Sequence, residues 1–536
     1  MIINLINRVS FLVVFCLCVA FNGNAQTYFS VKHDFDFAYD SIGWQKSNNW
    51  AYLNNVSTDY AGIAKIILEK ENGKLKNYYE SENAFKFSVY NETFKRLNSK
   101  SVLYGYAGYE NRVEKNQNGS SFLNPEEMAF DIVNTDYENV GSTKLEVYTI
   151  KGGLGYDINN KFSLGAFLDY KAKSYVKTKD LRHTNKILDM NLSLGGSYKL
   201  NKYLTIGLNY NYSRYIEGIV FNTYGTTDKL YYSLINYGVF YGKNELFDQY
   251  GFTAKGENNP YVNNKNGVAF QLDFKVNSSL YLFNEISFNK FDGYFGKQSS
   301  SSILHTNHNG KDFKERFFAY LKSTKYDHKV ELEIRKFEIN NFENSYRSET
   351  NSSGNTIYEY YARNEVGNKS KLLISGDYIL ERKRINGLYD WAFEINSSFT
   401  KRKVSSIIYP YYREQNLSLY TFNLAYTKHI HLKRSIFSLK ADLGFKDGFG
   451  EKYNDKLFST PSSSSGKPIS VDSFLLEEYY YLTSPTLSPI FKIRWGVPIK
   501  NLNCFLSASY QYNKTIKNNF FNAQSHFVSI STGVTF

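Results

Sequence analysis

The chain carries 536 residues, with Lys+Arg 64 against Asp+Glu 51 for a net charge of +13. At 18% aromatic residues it is not a disordered chain. Mean hydropathy is −0.46, and no apolar run beyond residue 26 approaches the roughly 20 residues that a membrane helix needs. A helical membrane protein is therefore excluded. A barrel, whose strands are apolar on one side only, is compatible with such polarity.

In chain order, residues 1–25 read as a secretory signal, with Arg8, an apolar run from Val9 to Phe21, and Gly23-Asn24-Ala25 before Gln26. Cys16 and Cys18 leave with it, and neither follows the small residues that lipidation requires. Cys504 then stands alone, so neither an intramolecular disulfide nor a cysteine metal site can form. Residues 26–60, with Trp44 and Trp50, form an N-terminal extension with little alternation. They are too few for a folded plug domain, which excludes a TonB-dependent transporter. The extension is expected either in the periplasm or in the pore mouth.

Residues 61–536 repeat one unit: two alternating strands around a short polar turn, then a longer polar connection. The pairs are Ala84–Phe94 with Ser101–Glu110, Leu145–Asp157 with Lys161–Tyr175, and Ile187–Leu200 with Tyr203–Tyr215. Next come Val268–Val276 with Leu280–Asp292, Arg316–Ser323 with Lys329–Ile339, and Lys371–Leu380 with Tyr389–Lys401. Leu417–Lys428 with Ser435–Phe445 and Pro489–Val497 with Leu502–Asn513 complete them. One strand near Ala61–Lys70 and the terminal strand His526–Phe536 bring the count to about 18, within a range of about 16 to 20. Tyr231–Tyr241 either adds a hairpin or belongs to a loop.

The long connections are about Asn111–Thr143, Ile216–Gly267, Gly293–Glu315, Asn340–Ser370 and Lys446–Ser488. Short periplasmic turns against long extracellular loops are the signature of an all-β transmembrane antiparallel barrel. The prolines fall in connections or at strand ends, where a missing N–H is tolerated.

Alternation assigns the faces, because successive side chains in a strand point to opposite sides. Leu164, Leu208, Leu506, Ile530 and Phe536 fall on the lipid side, as does Cys504. Lys151, Asp169, Lys171, Asp273, Lys275, Glu331, Glu333, Arg335, Asp377, Glu394, Lys440, Asp442, Lys492 and Arg494 fall on the lumen side. Such a charged interior serves either a hydrophilic solute or a set of internal ion pairs that brace a closed barrel, and the bracing reading carries more weight. Trp391 and Trp495, near turns, suit an interfacial girdle. Lys95-Arg96 with Lys100, Arg382-Lys383-Arg384 and Lys433-Arg434 suit headgroup anchoring at the turns. Lys401-Arg402-Lys403, at an outer strand end, suits contact with lipopolysaccharide phosphates.

The order of Phe85-Lys86-Phe87, Ser101–Tyr109, Asn124-Pro125, Phe130-Asp131, Asp136-Tyr137, Gly165 and Tyr170-Lys171-Ala172 resembles uncharacterised outer-membrane barrels of Bacteroidota, a domain-of-unknown-function family. Where such proteins often carry an Asp-Pro-Arg-Pro-like loop, this chain has Asp180-Leu181-Arg182-His183. The resemblance implies a place in the outer membrane and a role around nutrient or iron uptake, near a TonB-dependent receptor or a surface lipoprotein. It brings no catalytic residues.

His305 and His308, read as sharing a loop, are too few for a metal site. No serine, histidine and acid can be brought together from the pattern. The expectation is a non-enzymatic uptake or surface-complex component without cofactor, with a passive channel for a small solute as the first alternative and a barrel hydrolase as the second. Expected partners are outer-membrane lipid, lipopolysaccharide and, through the terminal strand, the barrel-assembly machinery. Nucleic acid is not among them.

Overall fold

The computed structural model describes residues 47–536 apart from 57–58, 137–138, 227, 250, 385–387, 464–465, 500–501 and 517–520. Residues 1–25, expected to be an export signal, and Trp44 lie outside the described residues. The chain begins with β1 (Tyr60–Gly73), β2 (Asn83–Asn98), β3 (Ser101–Gln117), β4 (Asp131–Asn134), β5 (Gly141–Asp157) and β6 (Phe162–Lys177). It continues through β7 (Arg182–Lys199), β8 (Leu204–Asn222), β9 (Tyr232–Gly238), β10 (Tyr241–Leu246), β11 (Asn258–Lys275) and β12 (Leu280–Gly296). Then come β13 (Leu304–Lys322), β14 (Tyr326–Thr350), β15 (Thr356–Lys383), β16 (Tyr389–Ile408), β17 (Tyr411–His431) and β18 (Ile436–Gly450). Last are β19 (Asn454–Leu457), β20 (Ile469–Ser470), helix α1 (Asp472–Thr483), β21 (Thr486–Ile499), β22 (Leu502–Thr515) and β23 (Gln524–Thr535).

Eighteen of these strands form a closed antiparallel barrel, β1 sealing against β23 with Ile66 opposite Thr532. Closure removes every edge, which matters because an unpaired backbone group in hydrocarbon costs several kcal/mol. Both barrel ends meet at the short-turn rim, where Gly62 N donates to Phe536 O at 2.8 Å and Phe536 N to Gly62 O at 3.0 Å. The turns repeat one device. Asn159, Asn201 and Asn277 each accept, through the side-chain oxygen, from backbone N–H groups two and three residues on. This local bond mimics a backbone turn and fixes the hairpin register.

The outer face is an apolar band. Ile150 is 66% exposed, Leu208 61% and Ile530 46%, with Leu164 beside them. Leu506 lies opposite Thr532 on that face, and Phe536 packs there against Tyr60 with ring centroids 5.4 Å apart. Exposed apolar side chains on strand after strand suit hydrocarbon and not water. Trp391 sits toward the short-turn rim, 6.2 Å from the rings of Tyr326 and Tyr426, and Trp495 stacks on Phe437 at 6.0 Å.

The connections differ from the sequence expectation. Asn340–Ser370 is mostly strand, since β14 has 25 residues and β15 has 28. Crossing hydrocarbon takes about 9–11 residues, so the rest of this hairpin rises beyond it. There both faces carry polar side chains, such as Arg347 paired with Glu359, and the two-residue hydrophobic period that marks a strand disappears. His305 and His308 belong to β13, not to a loop. Pro260 and Pro489 lie within strands near their outer ends, Pro498 lies within β21 near its other end, and the β21–β22 pairing is interrupted at Ser488 and Pro489. Tyr231–Tyr241 contributes to β9 and β10, which stand outside the barrel wall.

Candidate functional site: a cavity between lid and barrel wall

At the short-turn end the lumen is occupied by the N-terminal segment, whose 3-10 turn spans Trp50–Asn55. Four consecutive strands make room for it with glycine at inward positions. A methyl group at Gly153 would stand 2.7 Å from the Trp50 ring, and one at Gly155 2.8 Å from Leu53 Cβ. At Gly165 it would fall within the main chain of Trp50-Ala51, at Gly195 on the Asn49 amide, and at Gly207 2.7 Å from the Tyr52 hydroxyl. Trp50 stacks on Phe167 with centroids 4.0 Å apart and planes within 5°. Tyr52 and Leu53 are fully buried against Phe94, Tyr104, Phe283, Phe318 and Phe505.

Polar bonds fix this floor. Asn49 Nδ2 donates to Gly196 O at 3.0 Å and to Gln271 Oε1 at 2.9 Å, and Ser47 bonds Glu285. Arg96 Nη2 donates to Asn54 O at 3.0 Å and Val56 O at 2.8 Å. Arg96 therefore turns toward the lumen instead of the headgroups, because the floor's free carbonyls are the acceptors within its reach. Lys383 is drawn in likewise by the buried carboxylate of Asp327.

At the other end three long connections interleave into one lid. Strand β4 follows β3, β9 and β10 follow β8, and β20 with α1 follows β18; together they build a four-stranded sheet ordered β20-β10-β9-β4. Its core joins Tyr78, Val133, Leu234, Phe240, Phe474 and Leu475 to Val404 of the barrel wall. A second cluster packs Phe122, Phe130 and Phe252 on Tyr261 and Phe295. The hairpin between β9 and β10 turns through Val239 (φ 54) and Phe240 (φ 48). For a β-branched residue such a left-handed φ is strained, and the burial of both side chains holds it.

Between lid and wall lies a cavity of about 350 Å³. Lys265, Arg335, Lys369, Lys371 and Arg402 line it from the wall, and Glu126, Glu127, Asp131 and Glu478 from the lid. Arg335 grips Asp312 through Nε at 2.8 Å and Nη2 at 3.0 Å, and Lys265 shares that carboxylate at 3.2 Å. Arg402 reaches Glu478 at 2.9 Å. Lys369 Nζ donates to the lid carbonyls Met128 O at 2.7 Å and Pro125 O at 3.3 Å. Asp131 accepts from Tyr78 at 2.9 Å and Ser120 at 2.6 Å. Burial pushes its carboxyl up to about 6, with those two bonds and Lys369 opposing.

Of the lumen residues read from alternation, Arg335 alone lines this cavity. The others lie on the wall strands, outside the cavity lining. Lys151 and Lys171 flank Asp169 at 3.3 Å and 3.5 Å, and Arg316 bridges Glu331 and Glu333, both at 3.4 Å. Asp377 accepts from Asn396 at 2.8 Å, Lys440 meets Glu394 at 2.7 Å, and Asp273 accepts from Tyr281 at 3.2 Å. Lys275 follows Asp273 on one face of β11, Asp442 follows Lys440, Lys492 lies opposite Lys440, and Arg494 covers the Phe505 ring at 4.4 Å.

The cavity's other cations escaped the sequence reading. Arg402, expected at lipopolysaccharide phosphates, instead shares a face with Glu394, Asn396 and Thr400, and the lid supplies its partner, Glu478. Lys369 fell in a presumed loop, and Lys371 stood at the first position of a presumed strand. Carrying the two-residue period back from Asp377 turns both inward.

The two histidines of β13 pack against aromatic rings. His305 packs 4.6 Å from Phe252, and His308 stacks on Tyr261 at 4.6 Å. Among the described residues no group of three or more His, Cys, Asp or Glu is placed to hold a metal ion.

Residues 51–536 match the model of a family of unknown function (DUF6850). No curated protein matches the chain. Similar solved structures include BauA, the ferric preacinetobactin receptor of Acinetobacter baumannii, at 8% identity and TM-score 0.37, covering 89% of this chain and 81% of that one. The outer-membrane transporter YddB of Escherichia coli has 6% identity and TM-score 0.39 over 88% and 80% of the two chains. The CymD monoaromatic hydrocarbon channel has 9% identity and TM-score 0.26 over 91% and 90%. At these values the likeness extends to a barrel and no further.

Proposed function

The chain belongs to that family of unknown function, and for it we propose an outer-membrane barrel that acts, without catalysis, as a gated component of nutrient uptake or of a surface complex. The observation that carries this is that the chain's own segments fill both ends of the lumen, the Trp50–Asn55 floor at one end and the β4-β9-β10-β20 lid at the other. A passive channel needs a continuous water path and has no use for a glycine-lined seat across it. The partner that would displace floor or lid is proposed to be a TonB-dependent receptor or a surface lipoprotein, with lipopolysaccharide around the rim and the barrel-assembly machinery reading β23.

Planar-bilayer recording of the purified protein tests this. The expected result is silence from the full chain and steady conductance after deletion of residues 27–56. Steady open steps from the intact protein would establish the passive channel instead.

A further inference from the structure

We propose that the cavity beneath the lid binds an organic anion bearing carboxylate or phosphate, held by the basic wall of β11, β14, β15 and β16; this rests on the closed-lumen reading above. Five cations line the wall, and among the described residues only the carboxylates of Asp312 and Glu478 form ion pairs with them. Lys265 and Arg335 share the single carboxylate of Asp312. Lys369 is bonded to carbonyls, which carry only partial charge. Lys371 lines the cavity with no hydrogen-bond or ion-pair partner among the described residues. Arg402 alone has a full carboxylate to itself, Glu478.

Across the gap, Glu126, Glu127 and Asp131 stand on the lid and form no ion pair with these cations among the described residues, although Asp131 and Lys369 sense each other's charge. Glu126 instead accepts from Tyr79 at 3.2 Å. Apart from the Arg402–Glu478 pair and the Lys369 bonds to lid carbonyls, lid and wall face each other across the cavity, and a small anion on the wall side would give Lys369 and Lys371 the ionic partner that the lid carboxylates do not provide. Charge-assisted hydrogen bonds of this kind are about twice as strong as neutral ones. Phe337 and Phe240 give the cavity apolar faces besides, so that a carbon skeleton fits as well as its anionic group. A volume of about 350 Å³ falls within the roughly 300–1,000 Å³ usual for small-molecule sites.

Isothermal titration of the full-length protein in detergent with citrate, glucose 6-phosphate and glucose tests the site. Saturable binding of citrate, glucose 6-phosphate or both is expected, with none for glucose, and the pattern tells carboxylate from phosphate. Lys371→Gln should weaken that binding at least tenfold; because Lys371 holds no other group in place, this variant should fold. The same titrations on a chain lacking residues 27–56 remove any barrier to access. Binding unchanged in Lys371→Gln, binding of glucose equal to that of the anions, or no saturable binding in either the intact or the shortened chain would each overturn the inference. Silent bilayers with no anion binding refute the site alone, whereas steady conductance of the intact protein refutes the closed lumen.

Discussion

Gly165→Ala is a one-methyl change aimed at the floor. The added carbon would fall inside the main chain of Trp50-Ala51, at least about an ångström closer than the 3.5–4.0 Å at which carbon atoms rest. A neighbouring side chain could swing away, but a main chain seated among four strands cannot. The floor has little stability in reserve. Ordering the backbone from Asn49 to Val56 costs about 12 kcal/mol at about 1–2 per residue. Burial of Trp50, Tyr52, Leu53 and Val56 offsets about 2 kcal/mol each, and the hydrogen bonds of Asn49 and Arg96 about 1 apiece, which leaves the sides within a few kcal/mol. Losing the Trp50–Phe167 stack and one buried side chain removes about 3 kcal/mol, roughly a hundredfold in the displaced population. Hydrogen–deuterium exchange over Trp50–Asn55 should rise accordingly, and bilayers should begin to conduct. Gly152→Ala is the control, because nothing lies within 4 Å of its added carbon. A Gly165→Ala barrel that folds, keeps the segment protected and stays silent would refute the reasoning.

Two further outcomes follow from buried charge. Lys383→Met should destabilise the barrel by about 3–5 kcal/mol in urea titrations read by gel mobility, because it strands the fully buried Asp327 carboxylate; the Tyr320 and Tyr389 hydroxyls, at 2.9 Å and 3.1 Å, remain but cannot replace a full charge. Asp131 has its carboxyl raised to about 6 in the lid against about 3.9 in an unfolded chain. Its protonated form therefore favours the folded lid below about 4, and that contribution is lost as pH rises through 6. Limited proteolysis of the lid should be slower at pH 5 than at pH 7.5, a difference that Asp131→Asn removes; equal rates in the parent chain would refute the assignment.

Alternation by itself identified all eighteen barrel strands, because hydrocarbon outside and polar groups inside impose a two-residue period wherever a strand crosses the band. It also put Leu164 and Ile530 opposite Lys151 and Glu333, and asparagine at three hairpin turns marked the short-turn rim. Where that contrast ends, the pattern fell silent: the outer parts of β14 and β15 read as loop since both faces are wet. What only the tertiary structure decided is how the lumen is filled. Gly165, Gly195 and Gly207 sit far apart in the chain and become one seat through strand register. Val133, Leu234 and Ile469 come from three connections and meet in one lid. Nothing local in the sequence records such meetings, because their stabilisation comes from apolar area buried between distant segments. The same holds for Arg402 and Lys369, whose direction toward the lumen followed from strand period but whose purpose depends on the lid above them.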